Sequence, residues 1–232
     1  MYSTKKLGSK LLYKKLLYLK KDVKNSDKIL KFKKKKWQKF QQILLKSKKK
    51  RFYDPVIYSL SNFKSFFNKK FKYNLHNKQR LSFFYGKLKK SYLKKLLKEI
   101  FKKSKISKKN LITLLIQQLE NRLDTILRRT HFAYSLHNAR QLIAHKKVYV
   151  NGKIMQQSNY ILKKGDLITF KNNIHKSLHQ NILNSNVWPI PFKQCFVNYK
   201  TFSIVITQEY SNCFFSYPFW IDFNSFVNFY KK

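Results

Sequence analysis

Glu120-Asn121-Arg122-Leu123-Asp124, continuing through Ala139-Arg140-Gln141-Leu142-Ile143-Ala144-His145 into Val148-Tyr149-Val150-Asn151-Gly152-Lys153, is a basic helical stretch that runs into a hairpin. Leu119, Leu123, Ile126 and Leu127 recur at helical spacing, while Arg122, Arg128 and Arg129 project from the same turns. The spacing predicts one helix with an apolar side and an arginine side. Ser135 has the chemistry of an N-cap for a second, shorter helix, in which Leu136, Ala139, Leu142 and Ile143 form the buried stripe. Arg140, Gln141 and His145 are then left outside. Asn151-Gly152 between apolar and β-branched residues is a hairpin signal, because both central positions of a type I′ turn need positive φ. Lys146, Lys147 and Lys153 are expected to crowd one end of that hairpin. A turn at Lys163-Lys164-Gly165-Asp166 leads into a closing strand, Leu167-Ile168-Thr169-Phe170. The product is a compact α+β module with a cationic helix-and-hairpin face.

A planar guanidinium holds phosphate oxygens bidentately and stacks on bases, whereas lysine supplies a looser field. The chain has six arginines, and four of them fall in this module. The words R-L-D at Arg122–Asp124, A-R-Q-L-I-x-H at Ala139–His145 and V-N-G-K at Val150–Lys153 resemble the S-four RNA-binding domain in type and spacing. That resemblance implies a clamp on a folded RNA junction. Arg122, Arg128, Arg129, Arg140, Lys146, Lys147 and Lys153 would take phosphates, with Arg122 and Arg140 foremost. Ser135, Gln141, His145 and Asn151 would hydrogen-bond the backbone or 2′-hydroxyls.

With 52 Lys and Arg against nine acids, a formal charge of +43 on 232 residues calls for a polyanionic partner, and nucleic acid fits better than an acidic membrane surface. No run of about 18 uninterrupted apolar residues exists, so no membrane span is expected. The aromatic stretch Cys213 to Tyr230 is broken by Asp222, Asn224 and Asn228. Two cysteines, Cys195 and Cys213, are too few for a cysteine cluster and read as free buried thiols. His175 and His179 lie four apart without a carboxylate or cysteine to complete a set, so neither metal nor other cofactor is expected. R-L-D also occurs in pseudouridine synthases, but Ile126-Leu127-Arg128-Arg129 follows it here, and Asp124 reads as a helix-surface partner of Arg128 at i+4. There is no phosphate-binding glycine loop, serine elbow or carboxylate pair, and the reading is not an enzyme.

The chain divides into four stretches. Residues 1–75 are a lysine-rich extension with Asp22, Asp27 and Asp54 as its acids, and with helices expected around Leu11–Leu19 and Trp37–Leu44. Residues 76–118 read as a helical subdomain. Leu81, Phe84, Tyr85, Leu88, Tyr92, Leu96 and Ile100 predict a helix from Lys78 to Lys103, kinked at Gly86, with Lys78 and Arg80 on its cationic side. A break at Ser104–Ser107 follows, with Ser107 a candidate N-cap. The module occupies 119–171. Residues 172–232 hold a polar loop or short helix, a strand pair over Phe196–Lys200 and Thr201–Ile206 or one long strand through both, and further strand through Phe226–Tyr230, packing back on the helical subdomain.

Beyond the module, Leu7-Gly8-Ser9-Lys10-Leu11, Lys78-Gln79-Arg80-Leu81-Ser82-Phe83-Phe84-Tyr85-Gly86, Trp188–Ile206 and Ser225–Lys232 are similar to the family of small-subunit ribosomal protein four. The stretch between about 12 and 75, where many bacterial members carry metal-binding cysteines, has none. The resemblance implies a structural constituent of the small ribosomal subunit that binds the 5′ domain of small-subunit ribosomal RNA early in assembly. It also implies a place beside ribosomal protein five, near the path by which messenger enters, and adds Lys78 and Arg80 to the RNA contacts. A stand-alone S-four-domain assembly or rescue factor is the alternative, against which the long basic flanks speak. The Lys-, Phe- and Asn-rich composition and a start without the look of an import signal point to a protein encoded in an organelle, the mitochondrion, and working in its matrix.

Overall fold

The computed structural model describes residues 13–19, 23, 32–49, 63–107, 110–183, 195–207, 217 and 221–231. They belong to two compact units, one built on Leu11–Leu97 and Phe214–Lys232, the other on Lys98–Cys213. The fold class is α+β, with nine helices and a five-stranded antiparallel sheet among the described residues.

The helical unit contains α1 (Tyr13–Leu19), α2 (Lys35–Lys49), α3 (Phe63–Phe84), the start of α4 (Lys90–Ser107) and α9 (Phe223–Lys231). Leu16, Leu19, Trp37, Phe40 and Phe83 make its core, with Tyr13 edge-on to Trp37 at 5.2 Å. The helix expected to run through Gly86 instead stops there. Gly86 adopts φ 72, its N–H donates to Phe83 O (3.3 Å), and Lys87 N–H donates to Ser82 O (2.7 Å). Those two bonds are a Schellman stop, and a positive φ at that position is what glycine supplies without a Cβ penalty. A new helix, α4, then runs unbroken through Ser104–Ser107, where a break was expected. Ser107 lies in its last turn, with its hydroxyl donating to Lys103 O (2.8 Å).

Phe226–Tyr230, expected as strand, is helical. Aromatic residues favour strands only where they have a sheet to pack on. Here Phe226 and Val227 are buried, Asp222 Oδ1 accepts from Ser225 N–H (3.1 Å) to cap the first turn, and α9 lies on α3. Ser225 Oγ bonds Asn74, Asn77 Nδ2 donates to Ser225 Oγ (3.5 Å), and Tyr85 and Tyr217 share a hydroxyl hydrogen bond of 2.8 Å.

The second unit holds α5 (Leu111–Glu120), α6 (Leu123–Arg129), α7 (Leu136–Ala144), β1 (Val148–Val150), β2 (Lys153–Ile154), β3 (Leu167–Phe170), a 3-10 turn at Asn172–Ile174, α8 (His175–Leu183), β4 (Cys195–Asn198) and β5 (Ser203–Ile206). Asn110, not Ser107, caps α5, with Oδ1 accepting from Ile112 N–H (3.0 Å). The sheet order is β2-β1-β3-β5-β4, all antiparallel. The late hairpin β4–β5 therefore completes the module's own sheet, through Leu167 opposite Val205 and Ile168 opposite Ile204. One buried cluster joins α6, α7 and α8 to the inner face of that sheet.

Cys195 is on that inner face, 4% exposed, and burial pushes its thiol from an ordinary 9.0 up to about 12. Between those values the unfolded chain loses a proton that the folded one keeps, so this group's contribution to stability falls as pH rises from 9.0 towards about 12. In a Cys213→Ser variant at mildly alkaline pH, iodoacetamide is expected to label Cys195 only as fast as the fold opens. Labelling at the rate of a free thiol would contradict its placement. Cys213 lies outside the described residues.

Candidate nucleic-acid interface

The single arginine-sided helix expected over the R-L-D word is two helices with a pinned corner. Asn121 and Arg122 leave the helical path, and the backbone there pairs with a distant segment. Leu123 N–H donates to Tyr160 O (2.9 Å), Leu162 N–H to Asn121 O (2.9 Å), and Arg122 forms a β-bridge with Ile161. Across the corner Thr125 Oγ1 donates to Leu119 O (3.1 Å).

That corner turns Arg122 inward. It is 3% exposed, and its guanidinium forks onto Asp124, Nε to Oδ1 at 3.0 Å and a terminal nitrogen to Oδ2 at 2.9 Å. Arg140 on α7 donates Nε to the same Oδ2 at 2.8 Å. Arg129 forks onto Glu120 at 3.1 and 2.7 Å. Asp124 and Glu120 are both fully buried, so Asp124 is neither a helix-surface residue nor the partner of Arg128. A charged pair survives such burial only with bidentate geometry and filled lone pairs, which both carboxylates have. Asp124 is therefore the internal tie between α6 and α7, and Arg122 is bound inward to it rather than standing as a surface clamp.

Arg128 differs. It is half-buried at the end of α6 and has no carboxylate partner among the described residues. Burial first, and the neighbouring Arg129 second, hold its pKa below the usual arginine value. His131, at φ 61 in the next turn, is likewise held below the ordinary histidine value by burial, Arg128 and Arg129. Nothing in the sequence periodicity marked His131. An anion docked at this corner would relieve the mutual repulsion of these groups.

On α7 the exposed side carries His137, Gln141 and Ala144, and the chain leaves it through His145 and Lys146, which are also exposed. Ser135 caps this helix as expected, its Oγ accepting from Asn138 N–H (3.2 Å). Lys146, at φ 57, turns the chain into Lys147 and β1. Asn151 and Gly152, at φ 50 and 77, form the expected hairpin turn. Asn151 is committed internally, donating Nδ2 to Asp166 Oδ1 (2.9 Å) and accepting from Leu167 N–H (2.9 Å). Lys153 pairs with Val150 at the turn, so it lies at the opposite end of the hairpin from Lys146 and Lys147, about 10 Å along the strand. The three lysines do not crowd one end.

Lys78 and Arg80 belong to the helical unit and are used there. The Lys78 ammonium lies 4.5 Å from the Phe229 ring centroid, and Arg80 donates to Leu19 O (3.1 Å). Arg80's pKa is lowered, chiefly by burial. Among the described residues no three His, Cys, Asp or Glu side chains gather to hold a metal ion, and no helix is long and apolar enough to cross a membrane.

The S4 domain family matches residues 121–168, the stretch from the pinned corner to β3. A protein named small ribosomal subunit protein uS4m from Reclinomonas americana is 31% identical over 176 residues, covering 72% of this chain and 68% of that protein. The chain belongs to the uS4 family of small ribosomal subunit proteins. Within it, uS4 of Aquifex aeolicus (strain VF5) is 41% identical over 97 residues, and uS4m of Dictyostelium citrinum 43% over 90. Those two alignments cover only 44% and 26% of the relatives' own lengths. Similarity is thus densest over a part of the chain, and this member of the family keeps the S4 domain inside it.

Proposed function

We propose that the chain is a structural, non-enzymatic component of the small subunit of a mitochondrial ribosome, where it grips small-subunit ribosomal RNA through the outer side of α7, the Arg128–His131 corner and the β1–β2 hairpin. One observation carries the reading. The acids between residues 110 and 183 are Glu120, Asp124 and Asp166, and each spends its carboxylate on an internal bond. The charge this stretch leaves to a partner is therefore that of its lysines and arginines, as a phosphate backbone requires. Relatives named uS4m favour the mitochondrial particle. The resemblance noted above extends the proposal to the 5′ domain of that RNA, an early role in assembly, a neighbouring ribosomal protein five and nearness to incoming messenger.

Arg128, Arg140, Gln141, His145, Lys146 and Lys153 form the proposed contact set. Lys146 and Lys153 are exposed and separate, so each is a simple probe of phosphate contact. The double variant Lys146→Ala/Lys153→Ala is expected to weaken binding to a small-subunit RNA fragment uniformly and to lower the slope of log affinity against log salt by about two. An unchanged slope would remove both lysines from the interface. For the particle, the tagged protein sedimented from organelle lysate should travel with the small subunit and its RNA at high salt. Release by salt, or a transfer RNA or large-subunit partner, would favour an assembly or rescue factor instead.

A further inference from the structure

The sheet of the second unit has a face that the helices leave open. Inward positions such as Val148, Ile168, Val197 and Ile204 join the core, and the period of two turns their neighbours outward. Register places Phe196 on β4 opposite Val205 on β5, and Val205 opposite Leu167 on β3, so an apolar row crosses three strands. In the next row Tyr149 on β1 lies between Ile154 on β2 and Thr169 on β3. These side chains are not spare surface. Phe196 is 65% exposed, Ile154 50% and Leu167 39%, a contiguous apolar patch of the kind that marks a binding surface.

Charge decides the partner. Two residues before Tyr149 and two after Thr169 stand Lys147 and Lys171, side by side through a hydrogen bond from Lys171 N–H to Lys147 O (3.1 Å). The carboxylate nearest in sequence, Asp166, is 9% exposed and turned to Asn151 and the Lys163 N–H. Aromatic and apolar side chains on an open antiparallel sheet, fringed by lysine with no exposed acid among the described residues around it, complement unpaired bases and their phosphates together. A duplex offers the phosphates but hides the base faces.

We propose that the outer face of this sheet binds single-stranded RNA, with Phe196 and Tyr149 as stacking surfaces and Lys147 and Lys171 beside the phosphates. Three strand spacings and two residues separate Phe196 from Tyr149, about 16 Å, which leaves room for a strand that stacks two or three bases. α6 and α7 pack on the other side of the sheet, so the surface lies away from the outer side of α7 and adjoins that interface only at the β1–β2 hairpin. The module would then hold a folded RNA on its helices and an unpaired segment on its sheet.

The test uses the full chain, a fluorescent oligouridine as the single-stranded probe and a structured small-subunit RNA fragment as the second ligand, at salt high enough to suppress non-specific phosphate contacts. Phe196→Ala is expected to lower oligouridine affinity about tenfold, Phe196→Tyr to restore it, and both to leave the salt slope and the structured fragment's affinity unchanged. Because Phe196 is mostly exposed, Phe196→Ala should keep the circular dichroism of the parent chain. Tyr149→Leu supplies an independent variant, with the same loss expected. Unchanged oligouridine affinity in both variants would overturn the proposal, as would loss of another protein from the particle in place of RNA affinity. Failure of the α7 reading shows separately, as a structured-fragment affinity insensitive to Lys146→Ala/Lys153→Ala.

Discussion

Asp124→Ala is expected to destabilise the fold by about 3–5 kcal/mol, the range for stranding a buried charge whose partner has been removed. Arg122 is 3% exposed and forks onto that carboxylate, and Arg140 is bound to it from α7. Without it, two cations face each other inside the packed corner. The converse substitution is milder, since Arg140→Ala leaves the Arg122–Asp124 fork intact. Denaturation of the full chain in urea, read as a shift in midpoint at constant slope, measures the difference. A loss below about 1 kcal/mol for Asp124→Ala would put the pair in solvent, where such bridges contribute little.

Phe132→Ala is expected to cost about 3–5 kcal/mol as well, by a different mechanism: a cavity that the surroundings fill only in part. The Phe132 ring is fully buried, with ring centroids of Phe170 at 5.1 Å and Tyr199 at 5.5 Å. Its backbone carbonyl accepts Nδ2 of Asn181 from α8 (2.9 Å). One side chain thus joins the α6–α7 turn to β3 and to the turn of the β4–β5 hairpin. Loss should appear in urea midpoint, and Phe132→Leu should recover more than half of it. If Phe132→Ala unfolds no earlier than the parent, the hairpin is not packed on the module.

Much of the module was legible in the sequence because its signals are local. Ser135 caps the helix that follows it, and Asn151-Gly152 makes the turn its two residues demand. The strand pair before Ile206 follows its alternation, at slightly shorter bounds. What failed depends on distant partners. Arg122 sits at a spacing indistinguishable from that of a surface arginine, and only the pairing of Asn121–Leu123 with Tyr160–Leu162 turns it inward. Phe226–Tyr230 has strand composition, and a helix forms because α3 offers a face for Phe226 and Val227. In the site, the exposed cations Lys146 and Lys153 were visible as composition, whereas the pairing of Glu120 and Asp124 with three of the arginines was not.

The docking of α9 on α3 has a consequence for synthesis. About 140 residues separate the two helices, roughly 7–30 s of translation at ordinary rates. During that interval the face of α3 that will receive Phe226 and Val227 waits for α9. The second unit closes earlier, once β5 has emerged, because every strand and helix it needs is then made. A nascent chain of this protein should therefore present a folded sheet module while its helical unit is still open, and a ligand that engages the module could do so before the rest of the molecule has closed.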